Sequence, residues 1–254
     1  MQICMLASGS RGNSIYVSDG ETSVLVDAGL SGIEIERRMK SRNLNIKNID
    51  AIIVSHEHSD HIQGVGVLAR RYNLPVYISP ATHTTAESQL GTIQQINNFS
   101  CGSEFNIKGL TIRPFSISHD ASDPAGFTLG SNGQKIGIAT DLGIATAMVK
   151  EHLRNCCCLI IEANHDVPML EEGPYPWPVK QRVKGRTGHL SNESSRELLM
   201  DVIHDQMTHV ILAHLSETNN TPEKALQVVT ERLGNTHLNV SVAAQSTASP
   251  LIEL

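Results

Sequence analysis

One short segment of the chain concentrates residues that bind metal ions. Residues 55–61 read Ser-His-Glu-His-Ser-Asp-His, directly after the apolar run 51–54, which is typical of a buried strand. In an extended loop, side chains two residues apart point to the same side, whereas on a helix they lie roughly 200° apart. An extended loop therefore lets two of these histidines bind one ion, while the Asp-His pair faces a neighbouring position. Such ligands suit zinc, manganese or iron. The candidate ligands here are His56, His58, Asp60 and His61.

Further polar residues stand at the ends of other predicted strands. They are His119, after the strand 110–118, Asp141, after the strand ending at residue 140, and His214, after the strand 210–213. Singly, each is typical of a capping or hydrogen-bonded residue, but together they complete the ligand set of a two-metal site. Asp27 follows the apolar run 24–26 and is expected to orient ligands rather than to bind metal.

The elements that position these residues alternate between short β-rich runs and amphipathic stretches. Strands are predicted at residues 16–17, 23–26, 51–54, 76–78, 110–118, in a hairpin over 126–140, and at 159–162, 210–213 and 240–244. Helices are predicted at residues 33–42, 65–72, 145–153, from the Ser191 cap to about 204, and from Pro222. In the first helix, Ile33 and Met39 are expected on one side, with Arg37, Arg38 and Lys40 mostly outward. We expect packed layers forming a single domain over residues 1–254.

Residues 167–188 lack periodicity and contain several prolines, which predicts a long loop that is functional or disordered. If this segment is extended, its alternating cations all point to one side and form a phosphate-binding strip; they are Lys180, Arg182, Lys184 and Arg186. A solvated loop is an equal alternative. Tyr175 and Trp177 could stack on bases, although the neighbouring prolines favour an anchoring role.

Composition limits the classes of function. Of 254 residues, 40% are hydrophobic and 18% are charged, which excludes wholesale disorder. No apolar run reaches the roughly 18 residues of a membrane helix, and the first residues predict no secretory signal. The net charge of −6 argues against a large DNA-coating surface but leaves room for a local basic strip. Three of five cysteines are adjacent, so we expect reduced thiols and a cytoplasmic protein.

The order of these motifs resembles the metallo-β-lactamase superfamily over nearly the full length of the chain. The resemblance implies an α+β fold, the αββα sandwich, in which two mixed sheets are flanked by helices. It also implies a first metal on His56, His58 and His119, a second on Asp60, His61 and His214, and Asp141 bridging both.

Several segments narrow the resemblance to the YycJ/WalJ group. They are residues 8–14 (Ser-Gly-Ser-Arg-Gly-Asn-Ser), 162–166 (Glu-Ala-Asn-His-Asp), 188–192 (Gly-His-Leu-Ser-Asn) and 214–216 (His-Leu-Ser). That group is associated with 5′-exonuclease action on double-stranded DNA, and it is similar to carbon–phosphorus lyase operon phosphodiesterases and to RNase Z. Those relatives have an extra histidine before the last ligand, which corresponds here to His189. Asp141 replaces the cysteine of classical lactam hydrolases, and no inserted second domain is evident.

These features predict in-line hydrolysis of a phosphodiester with a hydroxide activated by two metals, zinc or manganese, with iron a third option. Asp60 and His189 are the candidate catalytic residues, with His189 donating a proton to the leaving group or else serving as a structural histidine. Residues near the motifs are candidate substrate contacts; beyond the cations above, they are Ser8, Ser10, Asn13, Asn164 and His165.

The leading functional hypothesis is a 5′-exonuclease acting on nucleic acid, with DNA favoured over RNA, and with no membrane partner and no particular oligomeric state predicted. A phosphodiesterase for small or cyclic phosphodiesters is the first alternative, followed by a glyoxalase II-type thioesterase. A di-iron reductase is disfavoured because no flavin-binding domain is evident. A binding module without catalysis is disfavoured because all seven candidate ligands are present.

Overall fold

The computed structural model describes residues 1–234 and 237–254, which form two seven-stranded sheets. The strands of the first sheet are β1 (Gln2–Ala7), β2 (Ser14–Ser18), β3 (Ser23–Val26), β4 (Ala51–Ile53), β5 (Val76–Ile78), β6 (Ile96–Asn98) and β14 (Ile252–Glu253). They lie in the order β14-β1-β2-β3-β4-β5-β6. Pairing is antiparallel from β14 to β3 and parallel from β3 to β6, so the sheet is mixed.

The second sheet has the same division into an antiparallel and a parallel half. Its strands are β7 (Phe105–Ile107), β8 (Leu110–Ser116), β9 (Ala125–Ser131), β10 (Gln134–Ala139), β11 (Cys158–Glu162), β12 (His209–Ala213) and β13 (Asn239–Val242). They follow one another in chain order across the sheet, antiparallel from β7 to β10 and parallel from β10 to β13. In each parallel half, the carboxyl ends of the strands meet at one edge of the sheet.

Helices connect the parallel strands. They are α1 (Gly32–Lys40), α2 (Ser59–Ile62), α3 (Val65–Tyr72), α4 (Pro80–Leu90), α5 (Ala147–Leu153), α6 (Val167–Glu172), α7 (Trp177–Lys184), α8 (Asn192–Val202) and α9 (Pro222–Thr230), with a 3₁₀ turn at Ile46–Asn48. Ser31, Ser79, Thr146, Ser191 and Thr221 cap five of these helices by accepting a backbone N–H through the side-chain hydroxyl. None of the helices in the described part of the chain is long and apolar enough to cross a membrane.

Three apolar clusters separate four layers. The central cluster lies between the sheets and includes Phe127 and Ile53, both fully buried. One outer cluster joins the first sheet to α1, α3 and α4, and the other joins the second sheet to α5, α8 and α9. Full burial of each such large side chain contributes about 1.5–3 kcal/mol to stability. The architecture is the αββα sandwich with two mixed sheets, as predicted.

The prediction of a long loop over residues 167–188 is wrong, because this segment forms the helices α6 and α7. Proline is tolerated in the first turn of a helix, where the missing N–H would have no helical partner, and Pro168 and Pro178 occupy such positions. Residues two apart on α7 point in nearly opposite directions. The expected one-sided strip of Lys180, Arg182 and Lys184 therefore does not exist.

Helix α1 differs from expectation in which residues it buries. Ile33 is 70% exposed, whereas Arg38 is only 7% exposed. Arg38 donates hydrogen bonds to the backbone oxygens of Leu6 and Gln245 and to the Glu34 carboxylate. A buried guanidinium is tolerated when all its neighbours are acceptors, and here it ties α1 to β1 and to the C-terminal segment.

Candidate metal centre

Strand ends bring the candidate ligands together at one edge of the two sheets. Asp27 and His56 follow the parallel strands β3 and β4, while Asp141 and His214 follow the parallel strands β10 and β12. Asp27, Asp141 and His214 each adopt a left-handed backbone conformation, with φ of 60°, 56° and 57°. Non-glycine residues rarely adopt this conformation, so each strand turns sharply where it delivers its side chain to the site.

The first set of donor atoms comprises His56, His58 and His119. His58 Nδ1 lies 3.1 Å from His56 Nε2 and 3.3 Å from His119 Nε2. Two ligands bound to one zinc ion at about 2.1 Å in tetrahedral geometry are roughly 3.4 Å apart. These three nitrogen atoms therefore have the spacing of ligands to a single ion.

The second set comprises Asp60, His61 and His214. Asp60 Oδ2 lies 3.6 Å from His61 Nε2 and 3.8 Å from His214 Nε2. Asp60 and His61 lie on α2 rather than in the extended loop that was expected. The His61 ring centroid lies 4.0 Å from that of His56, so the two donor sets adjoin within six positions of the chain.

Asp141 lies between the two sets and is 2% exposed. Its Oδ1 is 3.4 Å from His214 Nε2 and 3.8 Å from His119 Nε2, while its Oδ2 is 3.2 Å from His61 Nε2. Among the described residues, Asp141 Oδ2 and His214 Nε2 are buried without a hydrogen-bond partner. Buried polar atoms left unsatisfied are costly, and a metal ion is a partner that suits both atoms.

The charges of the protein without metal are consistent with a cation site. Burial raises the pKa of the Asp141 carboxyl, but the neighbouring His214 and His61 hold it well below its usual range. Burial lowers the pKa of His214, yet Asp141, Asp60 and Glu162 raise it to about 10. The buried carboxylates thus require positive charge around them, which bound metals would supply in place of protons.

Hydrogen bonds at Nδ1 leave the Nε2 atoms of His56, His61 and His119 facing the centre. His61 Nδ1 lies 2.7 Å from Asp27 Oδ2, and His119 Nδ1 lies 3.3 Å from the Gly188 backbone oxygen. Ser55 Oγ lies 3.0 Å from His56 Nδ1. An imidazole that donates its Nδ1 proton to a carboxylate or carbonyl presents the Nε2 lone pair to a metal. Asp27 therefore lies where an orienting carboxylate was expected.

Glu162, the last residue of β11, is a site residue that the sequence analysis did not select. It is fully buried, and its Oε1 accepts hydrogen bonds from the Nδ1 atoms of His189 and His214, both at 2.8 Å. Its Oε2 accepts from the backbone N–H groups of Leu142 and Leu190 at 2.8 and 3.0 Å. Burial raises the pKa of the Glu162 carboxyl, but His189 and His214 lower it to about 2. One carboxylate thus orients two histidines of the site.

His189 lies between the two halves of the centre. Its ring centroid is 5.3 Å from that of His119 and 5.2 Å from that of His214, and its side chain is 17% exposed. Because Nδ1 donates to Glu162, Nε2 is the atom left for a substrate. Its Nδ1 also lies 3.9 Å from Asp141 Oδ1, which is farther than the 2.8 Å to Glu162 Oε1.

The predicted substrate contacts in the first loop divide into two kinds. Ser8 is buried, and its Oγ accepts the backbone N–H of His214 at 2.7 Å. Asn13 is also buried, and its Nδ2 donates to Asp60 Oδ2 at 3.1 Å. These two side chains thus position candidate ligands of the centre. Ser10 is exposed and lines a cavity beside Asp60.

Asn164 and His165 follow β11 and are both buried. Asn164 Nδ2 donates to the backbone oxygen of His214 at 2.9 Å, so it supports a ligand. Burial lowers the pKa of His165 to about 4, and its Nδ1 has no hydrogen-bond partner among the described residues. The structure brings both residues to the edge of the centre without exposing them.

The cations of α7 form ion pairs or hydrogen bonds with residues outside that helix. Arg182 forms an ion pair with Asp120 at 2.7 Å, Lys184 pairs with Glu171, and Lys180 donates to the Glu171 backbone oxygen at 2.7 Å. The expected anchoring role is wrong for Trp177, which is 71% exposed. Helix α7 therefore presents an aromatic ring to solvent.

Comparisons of the sequence with known proteins identify a family and relatives that are similar to this chain. A family model described as a beta-lactamase superfamily domain matches residues 22–234. The chain is 41% identical over 235 residues to the exodeoxyribonuclease YycJ of Bacillus anthracis, covering 92% of this chain and 89% of that protein. It is 36% identical over 260 residues to the exodeoxyribonuclease WalJ of Streptococcus pneumoniae, covering 98% and 97%.

A solved structure shares the fold. The metallo-beta-lactamase fold protein YhfI of Bacillus subtilis superposes with a TM-score of 0.74 over 98% of each chain, at 15% identity. The sandwich of two mixed sheets, the donor sets at their shared edge and the family match over residues 22–234 agree with one another. This chain belongs to the metallo-β-lactamase superfamily.

Proposed function

We propose that the protein is a dinuclear metal-dependent phosphodiesterase that degrades DNA as a 5′-exonuclease. The observation that carries this proposal is the arrangement of two donor sets around Asp141, with neighbouring donor atoms 3.1–3.8 Å apart. Two relatives with 36–41% identity over most of the chain are named exodeoxyribonucleases, which supports DNA as the substrate class. Five free cysteines agree with a reducing, cytoplasmic location.

Zinc or manganese ions held by these donors would neutralise the charge of a phosphodiester and activate a water molecule for in-line attack. The protein's own residues would supply orientation and a proton. We assign His189 as the proton donor, because Glu162 fixes its Nδ1–H and leaves Nε2 facing the site. Asp60 has a side chain 22% exposed, more than Asp141 at 3%, so it is the carboxylate most open to substrate and solvent.

The decisive test combines metal analysis with a panel of substrates. Purified protein with zinc or manganese is given end-labelled single- and double-stranded DNA and RNA, with bis-p-nitrophenyl phosphate and a glutathione thioester alongside. We expect stepwise release of nucleotides from the 5′ end of DNA. Hydrolysis of the small diester without any degradation of polynucleotides would favour the small-molecule phosphodiesterase, and hydrolysis of thioesters alone would favour the glyoxalase II-type reaction.

The bridging role of Asp141 is tested with Asp141→Asn, which keeps the shape of the side chain and removes its charge. We expect metal content to fall and activity to be lost with it, because both donor sets share this carboxylate. The matched control is Asp201→Asn, a half-exposed aspartate on α8 that pairs with Lys150. Full metal occupancy in Asp141→Asn would refute the assignment.

A further inference from the structure

A polar cavity of about 450 Å³ opens beside the metal centre on the side of Asp60. Its lining residues are Ser10, Arg11, Ser59, Asp60, Gln63 and Gln89. Volumes of about 300–1,000 Å³ are typical of ligand-binding pockets. Because Asp60 belongs both to the cavity and to the second donor set, a ligand in the cavity would adjoin the reacting phosphodiester.

The wall of this cavity is fixed before any ligand binds. In the first loop, Gly9 N–H donates to Asn13 Oδ1 at 2.8 Å, and Asn13 N–H donates to the Asp60 backbone oxygen at 2.7 Å. A Cβ added to Gly29, in the segment after β3, would lie 1.6 Å from that same oxygen and 2.7 Å from the Asn13 backbone nitrogen, so this segment packs against both without free space. The loop thus places Ser10 and Arg11 at a set position relative to the donor atoms.

Arg11 is the single cation among the lining residues, and its present partner is easily replaced. It forms an ion pair with Glu217 at 2.8 Å, in which the side chains are 75% and 44% exposed. Exposed ion pairs of this kind contribute little to stability. A phosphate that enters the cavity can take this guanidinium from Glu217, since planar guanidinium groups bind phosphate oxygens in pairs.

We propose that this cavity binds the nucleotide next to the scissile bond, with Arg11 contacting a phosphate of that nucleotide. The proposal rests on the proposed function, because it assigns a subsite to the same reaction. The remaining lining is made of hydroxyl and amide groups from Ser10, Gln63 and Gln89, which can donate to and accept from a sugar or a base edge. The lining has one cation, four neutral polar groups, no aromatic ring and one carboxylate, Asp60, which belongs to the second donor set. Such a lining suits a single phosphorylated nucleotide beside bound metal better than an apolar ligand.

Direct binding tests the cavity independently of turnover. Thymidine 3′,5′-bisphosphate is titrated by calorimetry into the metal-loaded protein, into Arg11→Ala and into Arg154→Ala. Arg154 is the matched control, since it is 57% exposed and pairs with an exposed glutamate, Glu151, at 2.7 Å. We expect Arg11→Ala to weaken binding at least about tenfold with its metal content unchanged, and Arg154→Ala to bind within twofold of the unmodified protein. Equal affinities for all three would overturn the proposal.

A second pair of variants fills the cavity instead of removing its charge. Gln89 and Ser88 are neighbouring exposed residues on α4, but only Gln89 lines the cavity. We expect Gln89→Trp to weaken binding of the bisphosphate by about tenfold or more, and Ser88→Trp to leave it unchanged. If both tryptophan variants bind as the unmodified protein does, the cavity is not the nucleotide site.

Oligonucleotides with a 5′-phosphate or a 5′-hydroxyl identify which phosphate Arg11 contacts. A loss in kcat/KM of Arg11→Ala confined to the phosphorylated strand indicates the terminal phosphate, and a similar loss on both strands indicates an internal one. No loss on either strand contradicts the proposal. If the unmodified protein degrades no polynucleotide at all, the exonuclease function fails, while the calorimetric result still decides the cavity.

Discussion

Replacing Glu162 by glutamine should disable the centre although the side chain keeps its shape. Oε1 accepts two histidine N–H groups, and Oε2 accepts two backbone N–H groups. A glutamine has one oxygen and one NH₂ group for these two places. If the NH₂ faces the backbone, donors oppose donors at Leu142 and Leu190. If it faces the histidines, both must move their protons from Nδ1 to Nε2, and His214 then loses the lone pair that would bind metal.

The size of the effect follows from the hydrogen bonds lost. Either orientation removes at least two bonds to a buried charge, each contributing about 1.5–3 kcal/mol, so about 3–6 kcal/mol is lost. Expressed as turnover, this corresponds to roughly 10²–10⁴-fold. Part of the loss should appear as metal content, because His214 is a candidate ligand in the second donor set. His189 also lies in a group that could hold a metal ion, with Asp141, Glu162 and His214, but we assign it as the proton donor.

The assay has three readouts. Kinetics with a DNA substrate gives the loss in turnover, mass spectrometry of bound metal gives occupancy, and ¹⁵N NMR of the imidazole rings in metal-free protein reports which nitrogen carries the proton. Glu197→Gln, an exposed position on α8, is the control and should match the unmodified protein in all three. An active Glu162→Gln protein with full metal occupancy and unchanged imidazole signals would refute the reasoning.

Three further predictions concern other parts of the molecule. His189→Ala should retain metal yet lose roughly 10²–10⁴-fold in turnover of DNA, and much less in turnover of a nitrophenyl diester, whose leaving group needs no proton. His214→Ala should lose metal instead. Equal losses of turnover on both substrates in His189→Ala would contradict the proton-donor role. Trp177, the single tryptophan and 71% exposed, should show quenched fluorescence when DNA binds, and unchanged emission at saturating DNA would exclude stacking. A hydrogen bond from Arg37, with a further contribution from Arg38, lowers the pKa of Glu34 to about 2, so Glu34→Gln should reduce the unfolding free energy of metal-free protein by about 1–2 kcal/mol at pH 7. This difference in unfolding free energy should shrink as pH falls from about 5 towards 2. A difference independent of pH would show that the charge of Glu34 is not its cause.

The sequence was sufficient to predict the fold, which the order of the motifs implies through the family that it resembles, and it placed the candidate donor residues at strand ends. Apolar runs identified most of the strands that form the central layers, and the positions directly after them hold Asp141 and His214. Parallel strands end at a common edge, so residues distant in the chain meet there whatever the details of the loops. The ligand roles themselves stay predictions until metal is measured.

Interactions that depend on packing could not be predicted in the same way. Glu162 ends a strand as Asp141 nearly does, but its four hydrogen-bond partners come from distant segments of the chain. The burial of Arg38 depends on the carbonyl groups of β1 and the C-terminal segment. The α7 error had a local cause: prolines were interpreted as helix breakers, although at the first turn of a helix they are favoured.

The left-handed backbone conformations of Asp27, Asp141 and His214 lower the stability of the fold at positions that the proposed activity needs. Each costs roughly 1 kcal/mol relative to glycine, and the turn is maintained because the surrounding strands enforce it. Glycine at these positions would relieve the cost while removing a carboxylate or an imidazole. A laboratory selection for heat resistance alone, carried out without metal, would therefore favour loss of Asp141 or His214, each of which has a buried atom without a hydrogen-bond partner among the described residues, over loss of Asp27, whose carboxylate accepts from Ser55 and His61. Thermostable variants of this protein should be screened for activity at every round.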